Sequence, residues 1–464
     1  MSTTLDGLKG FLKSDQILTD SDSLKTYGRD WTRYVEPAPL AIAFPKTTEE
    51  VAQIVKWARK TKTAIVPSGG RTGLSGAAMA AKEELVVSLE KMNRVLDFNE
   101  LDSTLKVEAG MVTEDIQNLA KEKGLYFPVD FASRGSSQIG GNVSTNAGGI
   151  KVLKYGLIRN WIAALKVVTG AGEILELNKS LVKNATGYDL RHLIIGAEGT
   201  LGIVTEVTLR LCPPTGPLSL FLMGVPNLTS VMKVFEEYRH RTDLIAFELF
   251  TDKALKHVLH HAPALKKPFE TEAPIYLLVE VETPTEASQE NALSVFETLT
   301  EKGLVVDGVL SQNEAQAKDF WRLREDISES LSRYTPYKND ISVKVSDVPQ
   351  FMNDIDQVFS KEYPDLEVIW FGHIGDGNLH ISILKPTNMA MPEFVKRCQS
   401  VDKLLYSTIQ KFGGSISAEH GVGITKKPFL QFTRSPEEIQ LMRDIKKVFD
   451  PDSIMNPGKI FDLV

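Results

Sequence analysis

PVDFASRGSSQIGGNVSTNAGGIKVLKYG, residues 128–156, decides how the rest of the chain is read. It holds six glycines, and four small hydroxyl residues stand between Gly135 and Gly149. Glycine backbone can approach a ligand closely, and its N–H groups can converge on an anion. No apolar period of strand or helix runs through the stretch, so it reads as a long loop, and such loops inside compact domains are usually functional.

A second glycine-rich run, VPSGGRTGLSGAA (66–78), follows the strand-like TAIVP. No Gly-Lys-Ser/Thr follows it, so it is not a P-loop, and no GxGxxG match supports a nicotinamide Rossmann domain. Taken alone it is equally a set of turns. Together, the two loops suggest a long ligand with a diphosphate centre, clamped along its length.

The surrounding chain alternates strands and helices. APLAIAFP, TAIVP, ELVVSLEKM and STLKVEAGM read as strands. TTEEVAQIVKWARKTK and TEDIQNLAKEKG read as helices, the first started by Thr47 and Thr48 and the second stopped by Gly124. AALKVVTGAGEILEL reads as a hairpin, and LGIVTEVTLRLCPP ends a strand at a proline pair near 215. Beyond it a second α+β unit begins, with AQAKDFWRLREDISESLSRY as one long helix. The tail PDSIMNPGKIF has no helical period and is expected to pack back on the first domain. The expected division is 1–215, 216–449 and 450–464.

The 464 residues carry a net charge of −7 and no basic tract, which excludes a nucleic-acid binder. Two cysteines, Cys212 and Cys398, exclude a disulfide framework and a cysteine-rich zinc site. No apolar run approaches the roughly 18 residues of a membrane span. MSTTLDGLKGFLKSDQ lacks the features of a signal or transit peptide, so a cytoplasmic location is expected, with peripheral membrane contact left open.

VIWFGHIGDGNLHISIL (368–384) places two of the chain's eight histidines around GDGN. Asp376-Gly377 is a strong two-residue turn signal, which makes His373 the cross-strand partner of His380. Opposed residues share a face with Cβ atoms roughly 4.5–5.5 Å apart. Two imidazoles that close can hold one metal ion, or form a plain aromatic pair.

PSGGRTGLSGA, IGGNVSTNAGG, NATGYDLRHLIIGAEGTLGIVTE, GHIGDGNLH, SAEHGVGITK and IMNPGKIF, in this order, resemble the FAD-linked D-2-hydroxy-acid dehydrogenases of the vanillyl-alcohol-oxidase flavoprotein superfamily. That family includes D-lactate, glycolate and D-2-hydroxyglutarate dehydrogenases, and the match is closest to the last. The resemblance implies an α+β protein: a two-part FAD-binding domain and an α+β substrate- and metal-binding domain with an antiparallel sheet.

The resemblance also implies where FAD sits. Pro67, Ser68, Gly69, Gly70, Arg71, Thr72, Gly73, Leu74, Ser75 and Gly76 would wrap the pyrophosphate. Gly135, Ser136, Ile139, Gly140, Gly141, Asn142, Thr145, Asn146, Gly148, Gly149 and Tyr155 would cover the ribityl and flavin portion. Glu198, Gly202 and Ile203 would lie by the adenine, and Asn456 would return from the tail. Some relatives attach FAD through a histidine of this domain. Here the first histidine is His192 and both loops lack histidine and cysteine, so non-covalent FAD is expected.

By the same resemblance Glu419 of SAEHGVG joins His373 and His380 on a divalent metal. Two imidazoles and a carboxylate suit zinc, and also manganese or iron. His420 is then the general base for the substrate hydroxyl. Arg324, Ser328 and Lys338 match positions that hold substrate carboxylates in hydroxyglutarate-type relatives, and a helix would put Arg324 and Ser328 on one face. Ser382 and Lys344 depart from the family pattern, which leaves the distal end of the pocket, and D-lactate or glycolate as substrate, open. So is an oxygen-using oxidase. The electron acceptor (a quinone, an electron-transfer flavoprotein or a cytochrome) and the oligomeric state, a homodimer included, are not legible.

Overall fold

The computed structural model describes residues 5–32 and 35–463. The chain forms two compact units. The first holds the described residues up to Gly148, Gly156–Pro214 and the chain from Glu419 onward; the second holds Gly149–Tyr155 and Thr215–Ala418.

The first unit contains two sheets. β1 (Ile17–Leu18), β2 (Ala41–Ala43), β3 (Ile65–Ser68) and β4 (Leu85–Ser88) lie in the order β1-β2-β4-β3, with β2, β4 and β3 parallel. β5 (Val95–Asn99), β6 (Thr104–Glu108), β7 (Ile162–Thr169), β8 (Ile174–Leu177) and β9 (Gly202–Arg210) form an antiparallel sheet ordered β5-β6-β9-β7-β8. The helix Thr48–Thr61 shows why the local sequence folds as it does. Thr47 caps it by accepting the Glu50 N–H, Glu49 and Glu50 stand in its first turn, and Arg59 and Lys60 in its last. Acid at the start and base at the end complement the helix dipole. Val51, Ile54, Val55 and Ala58 recur at helical spacing and are fully buried in the main core.

The second unit is one antiparallel sheet flanked by helices. β10 (Leu218–Val225), β11 (Asp243–Thr251), β12 (Ile275–Glu282), β13 (Asp307–Leu310), β14 (Tyr337–Ser342), β15 (Val368–Gly372) and β16 (Asn378–Ile383) lie in the order β13-β10-β12-β11-β15-β16-β14. Alternate residues face opposite ways. Phe221 meets Tyr238 of the helix Leu228–Arg241, while Leu220, Phe250 and Phe371 join a core with Leu255, Leu323 and Ile327 from the helices on the other face.

Three expectations are corrected. Residues 128–156 are not one loop: Ile139–Thr145 is a helix, because its buried Ile139 and Val143 are four apart and pack into the core. The long helix is two, Glu314–Glu325 and Ile327–Ser332, broken at Asp326. The units also do not follow the sequence division. Residues 419–449 group with the first unit, where Lys446 is buried against Asp450 and the Thr200 carbonyl. Residues 149–155 group with the second, where Lys154 pairs with Asp243 and Glu282.

The tail returns through a short parallel pairing. The Ile65 N–H donates to the Ile454 carbonyl, and the Asn456 N–H to the Ile65 carbonyl. Asp450 directs that turn by accepting the Ile454 and Met455 N–H groups. Among the described residues no helix is long and apolar enough to cross a membrane.

Candidate active site

The first unit holds a cavity of about 820 Å³, its open mouth included, at the end of β3. Pro67, Ser68, Gly69, Gly70, Arg71, Thr72 and Gly73 form one wall; Gly140, Gly141, Asn142 and Thr145 form another; Glu198, Gly202 and Ile203 close it. Glycine is required at close approaches. A Cβ on Gly70 would stand 2.1 Å from the Ser136 carbonyl oxygen, and one on Gly140 would stand 2.7 Å from the Ala109 Cβ.

Other expected residues act from behind the wall or lie elsewhere. The Ser75 hydroxyl donates to the Gly421 carbonyl at 2.9 Å. Asn456 Nδ2 donates to the carbonyls of Ala77 and Glu198, so it shapes the wall without lining it. Leu74, Gly76, Gly135, Ser136, Ile139, Asn146, Gly148 and Gly149 are not among the lining residues, and Tyr155 belongs to the second unit. Asp30, Leu89, Ala109, Gln138 and Ser144 line the cavity and went unread in the sequence. Asp30, Leu89 and Ala109 come from segments outside the two glycine-rich loops, so tertiary contact alone brings them there, whereas Gln138 and Ser144 lie within the second loop among the glycines that were read.

The largely apolar wall carries a few polar atoms without a hydrogen-bond partner: Asp30 Oδ2, Ser68 Oγ and Gln138 Oε1 are buried with none, and Arg71 Nη1 has only the Glu90 carboxylate at 3.7 Å. Such atoms are rare in folded proteins unless a bound group pairs with them. Burial pushes the Asp30 carboxyl above its ordinary range, against the pull of the Thr32 N–H.

In the second unit a polar cluster interrupts the sheet face. The β15–β16 hairpin is not the two-residue turn expected. His380 pairs with Phe371, and residues 373–377 form the connection, with a tight turn at Ile374–Asp376. Gly377 makes this geometry feasible: its φ is +83°, and a Cβ there would meet the Val343 carbonyl oxygen at 2.0 Å. His373, just past the strand, still approaches His380, with ring centroids 5.4 Å apart and planes at 82°.

Two buried carboxylates back the two imidazoles. Glu248 Oε1 lies 2.8 Å from His373 Nδ1, and Asp340 Oδ1 lies 3.6 Å from His380 Nδ1. Asp340 faces His380 across β14 and β16 and accepts from Asn378 Nδ2. Burial pushes the neighbouring Asp376 carboxyl up to about 6. A carboxylate hydrogen-bonded at Nδ1, as Glu248 is to His373, turns the opposite ring edge, Nε2, toward a further ligand, as around metal-binding histidines.

Arg324 reaches the same face from its helix. It is 5 % exposed, its guanidinium carbon lies 5.1 Å from the Phe371 ring centre, and Nη2 lies 2.8 Å from Glu248 Oε2. That ion pair lacks hydrogen-bond alignment, so Nε and Nη2 are donors without an acceptor. Ser382 is buried and faces Lys338 across the strands, whereas Lys338, Lys344 and Ser328 are exposed. The break at Asp326 falls between Arg324 and Ser328, so the single-helix face expected for them does not exist. Glu248 and Asp340 went unread; for Glu248 the legible signal was an acid set between apolar neighbours in the strand DLIAFELF.

Glu419 and His420 open the segment that belongs to the first unit. Just after them, Glu198 accepts the N–H groups of Val422 and Gly423.

Residues 39–178 match the family model described as FAD binding domain, and residues 218–460 match that of FAD linked oxidases, C-terminal domain. The chain belongs to the FAD-linked oxidases. Among similar proteins, a D-2-hydroxyglutarate dehydrogenase of Stutzerimonas stutzeri is 56% identical over 98% of each chain. One of Xanthomonas citri is 55% identical over 96% of this chain and 94% of its own. The mitochondrial D-2-hydroxyglutarate dehydrogenase of Bos taurus is 36% identical, covering 96% and 81%. In fold, the FAD-linked oxidase resembles 4-ethylphenol oxidase of Gulosibacter chungangensis (TM-score 0.77, 16% identity, 99% and 97% covered) and p-cresol methylhydroxylase (TM-score 0.76, 16% identity, 99% and 97%). The α+β architecture with a vanillyl-alcohol-oxidase-type FAD domain is thus that of the family. The cavity of the first unit, with its glycine walls and orphaned polar atoms, fits the FAD that the family uses.

Proposed function

We propose that this FAD-linked oxidase is a D-2-hydroxyglutarate dehydrogenase that forms 2-oxoglutarate. The observation that carries the substrate is Arg324: a buried guanidinium with unmatched N–H donors, beside two histidines, suits a carboxylate on a substrate whose hydroxyl end lies at the imidazoles. The buried Ser382, with Lys338 opposite it, offers further donors on the same strands.

FAD, when bound, would supply a two-electron hydride acceptor for the C2–H bond of the substrate. The loop Pro67–Gly73 would hold its diphosphate with backbone N–H groups and Arg71, and Gly140, Gly141, Asn142 and Thr145 would border the rest. No histidine or cysteine lines the cavity among the described residues, which supports non-covalent binding.

A divalent cation, zinc first and manganese or iron as alternatives, would act as a Lewis acid that makes the hydroxyl easier to deprotonate. His373, His380 and Glu419 would hold it. The donor set supports this, as do the carboxylates behind both imidazoles.

His420 takes the hydroxyl proton on its imidazole, a group suited to proton transfer near neutrality. Arg324 orients the acid so that the C–OH carbon, and not the distal end, faces the base. Fixed orientation removes the entropy of alignment from the barrier. The reduced protein would pass its electrons to a quinone, an electron-transfer flavoprotein or a cytochrome, in the cytoplasm or at a membrane surface.

The test is a panel of 2-hydroxy acids mixed anaerobically with purified protein while the yellow flavin absorbance is followed. D-2-hydroxyglutarate should bleach it fastest. Equal bleaching by D-lactate would remove the carboxylate site from the argument. Rapid reoxidation in air would favour an oxidase.

A further inference from the structure

We propose that Glu248 is a positioning residue that couples the metal end of the substrate site to its carboxylate end. The inference rests on the function proposed above. It adds a residue with no assigned role there.

Glu248 lies on β11, in the sheet interior between β12 and β15, and is 1 % exposed. A carboxylate so deeply buried is tolerated only when its oxygens are engaged. Here the two oxygens serve different masters. Oε1 is 2.8 Å from His373 Nδ1, and Oε2 is 2.8 Å from Arg324 Nη2.

An ionised carboxylate can only accept, so His373 must donate its Nδ1–H. That fixes the tautomer and leaves the Nε2 lone pair as the metal-binding one. Asp340 stands farther from His380, at 3.6 Å, so Glu248–His373 is the tighter of the two carboxylate–imidazole contacts. On the other side Oε2 holds Arg324 near by charge without consuming its aligned N–H directions. The guanidinium is placed yet still able to donate. Tight binding at either end therefore draws on the same carboxylate.

Glutamine at this position cannot do both tasks. Its amide presents one acceptor and one donor, and either the imidazole or the guanidinium then faces an N–H group. Glu248→Gln should weaken zinc binding about 10- to 100-fold and raise the KM for D-2-hydroxyglutarate more than it lowers kcat, with flavin content unchanged. Zinc affinity is read by competition with a chromophoric chelator on the FAD-loaded protein, well below its melting temperature. The tautomer of His373 is read from ¹⁵N-imidazole shifts. Glu248→Asp keeps the charge but reaches only one partner, and it is read the same way if the glutamine variant does not fold.

His373→Ala separates the two levels. If wild type and His373→Ala bind zinc equally, the metal site itself is wrong. If His373→Ala loses zinc while both Glu248 variants keep wild-type zinc affinity, tautomer and KM, the coupling role of Glu248 is overturned. A lower melting temperature with those three readouts unmoved also overturns it, by showing a purely structural ion pair.

Discussion

The Glu198 carboxylate accepts the backbone N–H of Val422 at 2.7 Å through one oxygen and that of Gly423 at 2.8 Å through the other. Ser75 grips the same turn: its hydroxyl donates to the Gly421 carbonyl, and its own carbonyl accepts the Ile424 N–H. Two segments of the cofactor domain thereby fasten the residues that follow His420. Sequence resemblance places Glu198 beside the adenine. The structure has it on the cavity wall and spends its carboxylate on this turn.

Removing that clamp should be costly. Glu198→Ala strands the buried Gly423 N–H, at about 1–3 kcal/mol, and frees the part-buried Val422 N–H as well. Gly423→Ala adds a Cβ 1.9 Å from the Ser75 carbonyl oxygen at a φ of +51°, for a strain cost of about 1–3 kcal/mol or more. Both variants should melt earlier and release flavin more readily, which differential scanning with flavin fluorescence as reporter measures directly.

Glu419→Ala and His420→Ala should behave differently. Both should remain yellow, because neither residue lines the flavin cavity. Loss of the base should lower kcat by roughly 10²- to 10⁴-fold. Colourless variants would assign these residues to the fold instead.

Arg324→Lys should separate substrates. Lysine keeps a charge near Glu248 but loses the forked donors. The KM for D-2-hydroxyglutarate should rise about 10- to 100-fold, equivalent to one charged hydrogen bond, while D-lactate oxidation changes little. Steady-state kinetics on both acids checks it. Arg324→Met is the harsher variant, since it leaves a buried carboxylate uncompensated, at about 3–5 kcal/mol.

Asp402 gives the protein a pH-dependent stability. It is 3 % exposed, and burial pushes its carboxyl up to about 6, with the Tyr337 hydroxyl's hydrogen bond opposing. The folded value exceeds the unfolded one, so the folded state favours the protonated form. Its stabilisation is full below about pH 4 and is lost as pH rises through about 6. Roughly two pKa steps correspond to about 3 kcal/mol. Asp402→Asn should therefore melt higher than wild type at pH 8 and match it near pH 4, in melting curves taken across that range.

The histidine hairpin shows how sequence reading succeeds and fails. The β-branched runs either side of GDGN marked two strands, and the strands are there. The turn chemistry suggested a two-residue loop, but the connection takes five residues, and His380 faces Phe371. The imidazoles still meet, because His373 leaves the strand end and its ring turns toward Glu248. A register assigned from turn residues alone misses such a partner, since the carboxylate that turns the ring lies 125 positions away. The helix Ile139–Thr145 is a similar case: its glycines argue for a loop, and burial of Ile139 and Val143 overrides them.

The sequence by itself determined the class of the protein. Glycine spacing, helix caps and strand runs are local properties, written where they act, and six ordered motifs carried the flavoprotein resemblance with them. Only the tertiary structure decided the partnerships: Glu248 between His373 and Arg324, Glu198 beneath Val422, and the return of residues 419–449 to the first unit. Each of these joins groups far apart in the chain, and each is set by burial in a low-dielectric interior, where a polar group must find a partner that no local pattern specifies.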